Sequence, residues 1–339
     1  FGLLSGCGTD EETSSAGAGE PRPAEETPAP DGTEEATEAE TMEEIEEAEE
    51  MEETESGSEN ADSRGEDVAA GTGQNTETTA QGTGDPVVYM TADISSEGLI
   101  AVYEALEASP TGNIAVKLST GEPGSNYLRT DLIGDLVQSF EDPTIVECNT
   151  AYGGSRANTA MHYQVAEAHG YRAIADVDIM DENGSMTLPV TGGSNLTENY
   201  VGANFANYDY YVVLSHFKGH SMAGYGGAIK NISIGIASSE GKSHIHSGGT
   251  GGSMWGGDQD AFLESMAEAG KSVMDYLDGN ILYINVMNRL SVDCDCDGNP
   301  AEPDMHDIGI LASYDPVALD QACICLLYTS DAADEARSV

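Results

Sequence analysis

After Pro86 the apolar positions change their spacing again and again along the chain, and each change marks an element. Val87 to Met90 predicts a short strand, and Leu99, Val102, Tyr103 and Leu106 then follow at helical spacing behind Ser95 and Ser96, which suit an N-cap. Pro110 and Gly112 end that helix. Ile114 to Leu118 reads as a buried strand, and Leu132, Ile133, Leu136, Val137 and Phe140 form a helix opened by Thr130 and Asp131. Thr144 to Cys148 is a strand and Ala157 to His169 a helix; Ala173 to Val177, Tyr210 to Leu214, Ile281 to Val286 and Ile308 to Ala312 are further strands. Strands alternating with helices in this way predict an α/β domain, its mainly parallel sheet covered by helices on both faces.

Residues 1–85 lack this pattern. They hold 26 acidic and two basic residues, with almost no aliphatic run after Leu4, and such a segment cannot bury a core. The expectation is a long disordered acidic tether over 8–85, ahead of one globular domain at 86–324. The chain's net charge of −49 argues against nucleic acid as a partner, because phosphate binding needs a basic footprint. No 18-residue apolar stretch occurs. Leu4-Ser5-Gly6-Cys7 resembles the lipobox of bacterial lipoproteins, which makes 1–7 the remnant of a signal peptide and Cys7 the lipidated residue. That resemblance implies a lipid anchor on the extracytoplasmic face of a bacterial membrane. At the other end, Cys325 to Glu335 resembles the in-frame translation of a sequencing adapter, so 325–339 are set apart from the expected fold.

In open α/β sheets ligands bind beyond the carboxyl ends of strands, so the residues after each strand come next. Lys117 with Ser119 to Gly124, Asn149 to Arg156, and Ser215 to His220 form three polar loops at equivalent ends. The segment Lys218 to Asn231 is the densest in candidate chemistry. Its glycines, Gly226 and Gly227 among them, allow close backbone approach to an anion, while Lys117, Lys218 and Lys230 supply charge and Asn231 a polar head. Lys218 and Lys230 belong to a set of only nine basic residues between 86 and 324. A small anionic molecule is the implied ligand; the bland alternative is a set of ordinary surface ion pairs. The Walker A ending and the Gly-x-Gly-x-x-Gly fingerprint are both absent.

A second constellation looks metal-like: His220, the pair His244-x-His246, and the acid-flanked pair Cys294-x-Cys296. On a strand the two members of each pair would share a face and could bind one ion, zinc or iron by ligand type. A disulfide with Cys148 or Cys323, or unpaired structural thiols, are the alternatives. Ser238 to Gly257, with the single Trp255, reads as a mobile loop able to close over a ligand.

The strings Ser215 to His220, Ala228-Ile229-Lys230-Asn231, Ile284 to Asp297, Asp307 to Ser313 and Asp315 to Cys323 together resemble the bacterial and archaeal domain-of-unknown-function family 362, over roughly Val88 to Ile324. Many members of that family carry a ferredoxin-like insert. Here no four-iron four-sulfur motif of that type occurs, for the Cys-x-x-Cys-x-x-Cys run is missing between His246 and Leu282. The resemblance supplies no agreed catalytic residues, so the site residues stand on chemistry alone. Two functions follow as expectations: a metal-dependent or redox-linked enzyme, or a binding module for a small anion.

Overall fold

The computed structural model describes residues 85–303 and 305–337, with side chains as far as Thr329. Cys7 and nearly all of the expected tether lie outside the described residues. The chain opens with β1 (Tyr89–Thr91) and α1 (Ser96–Glu104), whose N-cap Ser95 accepts from Gly98 N at 3.1 Å. β2 (Ile114–Lys117), α2 (Thr130–Ser139), β3 (Thr144–Glu147), α3 (Thr159–Ala168) and β4 (Asp176–Ile179) follow in strict alternation. A hairpin of β5 (Ser185–Pro189) and β6 (Glu198–Gly202) interrupts it before β7 (Tyr210–His216). Then come the short strands β8 (Lys218–His220) and β9 (Gly224–Gly226), the helices α4 (Ala228–Ser233), α5 (Ser239–His246) and α6 (Gln259–Leu277), and finally β10 (Ile281–Met287), β11 (Gly309–Ser313) and α7 (Pro316–Arg337).

The main sheet has the order β1-β11-β10-β7-β2-β3-β4. Its five strands from β10 to β4 are parallel, and β11 and β1 add antiparallel at one edge, so the mainly parallel sheet read from the sequence is what forms. Side-chain alternation splits the core in two. Val116, Val212, Leu214, Leu282 and Ile284 face α1 and α2, while Ala115, Tyr211, Val213 and Tyr283 face α4, α6 and α7. Lys117 shares its face with Ala115, and Asn285 shares its face with Tyr283; each is a polar residue directed toward the helices of the second layer.

Two sequence expectations need correction. The strand expected at Ala173 to Val177 begins later: Gly170 at φ +84° turns the chain into a 3₁₀ turn at Tyr171–Ala173, and β4 starts at Asp176. Tyr171 is buried there with its hydroxyl on Leu128 O, which pins the turn. The segment expected as a loop from Ser238 contains α5, because the Ser238 hydroxyl accepts from Gly241 N at 3.1 Å and starts a helix in spite of the Gly/Ser content. The last helix, α7, runs on past Ile324, and Leu326 and Leu327 pack partly against the second core cluster. No helix among the described residues is long and apolar enough to cross a membrane.

Candidate metal and anion site

From β2 the chain runs outward to β3 and β4, whereas β7 and β10 lie on the other side of β2. The carboxyl ends of β2 and β7 therefore flank a switch point, where a crevice is expected. A pocket of about 180 Å³ opens there, lined by residues that end β2, β3 and β7, by α4 and α5, and by the loop after β10. The three polar loops picked out from the sequence do meet in this place: Ser119, Thr150, Arg156, Ser215 and Lys218 all line it.

The loop after β10 carries Cys294 and Cys296, and the residue between them sets their direction. Asp295 is 2 % exposed; its carboxylate accepts from Lys218 Nζ at 2.6 Å and lies 2.9 Å from His216 Nδ1. Burial would raise this carboxyl, but His216 and Lys218 outweigh it and hold Asp295 far below the usual carboxylate range. Its backbone carbonyl accepts from Glu122 N at 2.8 Å, fastening the loop on a second side. With Asp295 turned inward, both cysteines line the pocket.

His220 arrives from β8. Gly219 N donates to Ser291 O at 2.8 Å, and a Cβ on Gly219 would lie 2.5 Å from Val292 O, so only glycine permits this approach. One ligand atom from each of His220, Cys294 and Cys296 then falls within 4.8 Å of the others. His220 Nδ1 accepts from Met222 N at 3.2 Å and Ala223 N at 3.0 Å, which fixes the ring and leaves its proton on Nε2. Hydrogen bonds from Cys296 and His220, with Lys230 and Lys218 nearby, hold the Cys294 thiol well below its ordinary value against the effect of burial. Cys296 is pushed up by its hydrogen bond to Cys294 and by burial, and the charge on Cys294 adds to this. Three donors of this type, so close together, form a set able to hold a metal ion.

The other two histidines separate. His244 and His246 sit on α5, where residues two apart point to nearly opposite sides, so the shared face expected of a strand does not exist. His244 packs on Tyr200, with ring centroids 5.0 Å apart, and does not line the pocket. His246 does line it, but its Nδ1 lies 2.7 Å from Lys242 O and its ring stacks on Phe262, and burial lowers it to about 4. No disulfide joins the described cysteines. Cys148 and Cys323 are buried thiols in the core, and burial raises both, Cys323 to about 12.

The anion residues are also redistributed. Lys117 is wholly buried, 3.0 Å from Glu147 and donating to Leu118 O and Asn231 Oδ1, and burial lowers it. Burial would raise Glu147, yet Lys117, Lys242 and Arg156 hold it down at about 2. Asn231 is committed too, donating to Leu214 O at 3.1 Å. The N–H groups of Ala228 and Ile229, after Gly227, do not face a ligand: they donate to Asp320 at 2.8 and 3.0 Å. A Cβ on Gly227 would lie 2.4 Å from that carboxylate, so this glycine makes room for a cap. Gly226 sits beside the stems of Lys218 and Lys230, with space for a Cβ. Residues the sequence reading did not name as ligands complete the pocket: Glu147, Lys242, and Arg156, which donates to Glu122 at 3.0 Å. The signal for Arg156 and Lys242 was their rarity as cations.

The profile of the family described as Domain of unknown function (DUF362) matches residues 114–325. No curated protein matches the chain. Among solved structures, the lactate racemase apoprotein from Thermoanaerobacterium thermosaccharolyticum is 16% identical, with a TM-score of 0.38 over 58% of this chain and 50% of that one. A Thermotoga maritima protein is 13% identical, with a TM-score of 0.39 over 72% of this chain and 58% of that one. The chain thus spans between half and three fifths of the length of these structures.

Proposed function

The chain belongs to the DUF362 family, and on that premise we propose that it is a metal-dependent enzyme whose ion, zinc or iron, is held by Cys294, Cys296 and His220. The observation that carries this reading is the convergence of an imidazole and two sulfurs within 4.8 Å, in a pocket at the carboxyl end of a parallel sheet. A structural site normally closes four protein ligands around the ion; three ligands at a pocket wall match the open arrangement of a catalytic one. Such an ion supplies Lewis-acid chemistry, polarising an oxygen bound beside it.

The chain's own residues prepare the site. Asp295, tied to Lys218 and His216, holds the two cysteines toward the pocket. Backbone N–H groups of Met222 and Ala223 fix the His220 ring. A neutral imidazole that ligates through Nε2 carries its proton on Nδ1, so binding there would shift the His220 proton and displace the Met222 and Ala223 N–H contacts, while the cysteine pair would give up its proton; metal uptake therefore discharges a proton and weakens in acid.

The test is elemental analysis of the full chain purified without oxygen or chelator. About one zinc or iron per chain is expected in the unaltered protein, with loss of the metal in Cys294→Ser and Cys296→Ser. A folded, metal-free protein, or serine variants that keep their metal, contradicts the assignment.

A further inference from the structure

Five of the nine basic residues between 86 and 324 line one pocket, in a chain of net charge −49. Three of the five are matched to carboxylates. Lys117 lies 3.0 Å from Glu147, Arg156 donates to Glu122 at 3.0 Å, and Lys218 reaches Asp295 at 2.6 Å. Lys230 and Lys242 are not matched. Lys230 is half-buried, and its ammonium makes no ion pair or hydrogen bond among the described residues. Lys242 is 7 % exposed, and its ammonium donates only to the neutral carbonyl of Ala237, at 2.6 Å. A buried ammonium is costly without a direct partner, and no carboxylate among the described residues lies within ion-pair distance of Lys242: Glu147, whose charge it helps to hold, is paired with Lys117.

The geometry points to a compact dianion, of the dicarboxylate or phosphate type, as the ligand of this pocket, held between Lys230 and Lys242 beside the cysteine pair. This rests on the same pocket as the metal reading and names its substrate class. The count is consistent with a bound metal: a divalent ion on two thiolates is electrically balanced, so both lysines stay available. It is also consistent with the site's other members, because Glu147 is already engaged by Lys117, Thr120 N and Cys148 N and does not turn to Lys242. Two ammonium groups select two negative charges, whether these stand on one phosphorus or on two carboxyl groups.

The experiment is titration calorimetry on the full chain at constant ionic strength with inorganic phosphate, malonate and acetate. Phosphate or malonate is expected to bind at least about tenfold more tightly than acetate, and whichever dianion binds identifies the type. Lys230→Ala is expected to weaken that binding about tenfold or more, as is Lys242→Met; Lys271→Ala, on the exposed face of α6, is expected to leave it unchanged. If Lys242→Met fails to fold, Lys230→Ala carries the test alone. Equal binding of acetate, absence of dianion binding, or unaltered binding in Lys230→Ala overturns the proposal. Metal content measured on the same samples separates the two readings: Lys230→Ala keeps its metal while losing the dianion, and Cys294→Ser does the reverse.

Discussion

Asp295 shows how one side chain can set the direction of two others. In the sequence it is one of several acids around a cysteine pair; in the fold it is buried, and its charge is spent on Lys218 and His216. Asp295→Ala leaves both partners buried without a counter-charge, and a cost of about 3–5 kcal/mol is expected, read as a fall in the urea midpoint of the full chain. An unchanged midpoint would mean that the cysteine loop is held by its backbone alone. Residue types were legible in this site, whereas pairings were not. His220, Cys294 and Cys296 could be picked out as ligand types, but that Lys117 spends its charge on Glu147 depends on the parallel register of β2 and β3, which no local pattern encodes. The failure at His244 has a definite cause: a His-x-His pair shares a face only at strand period, and the segment is helical.

At the level of elements, strong periodicity was reliable. β2, β3, β7, β10 and β11 form within a residue or two of the apolar runs that mark them, α1 starts behind its Ser95 cap, and α2 starts at Thr130. The long helices α6 and α7 were not assigned, and neither were the short elements whose stability comes from capping and tertiary contact. α4 has six residues, and Asp320 reaches it from α7, 91 positions away. α5 begins in a Gly/Ser-rich stretch where the Ser238 hydroxyl takes up Gly241 N and Asp181 takes up Ser239 N at 3.0 Å. Ser238→Ala is expected to cost about 1 kcal/mol, measured by urea unfolding. Because α5 carries Lys242 and His246 into the pocket, the same variant is expected to weaken dianion binding as well. An unchanged midpoint would show that the Asp181 contact alone suffices to start the helix.

For the whole molecule, the distribution of charge matters more than its total. Within a net charge of −49, five of the nine basic residues between 86 and 324 gather at the switch point of the sheet. The burial of titratable groups there fixes how stability responds to acid. Burial lowers His246 from 6.5 to about 4 and His162 to about 3, and Glu147 lies at about 2 instead of 4.5. In each case the unfolded chain binds the proton more readily than the folded one. Stability is therefore full above about pH 6.5 and falls steadily toward pH 2, which urea midpoints across that range will show; a flat profile would contradict it. The central claim is the ligand set, and X-ray absorption at the edge of the bound metal tests it most directly. The account predicts about two sulfur neighbours near 2.3 Å and one imidazole nitrogen near 2.0–2.1 Å. A shell of oxygen and nitrogen alone, with no sulfur scattering, would contradict it.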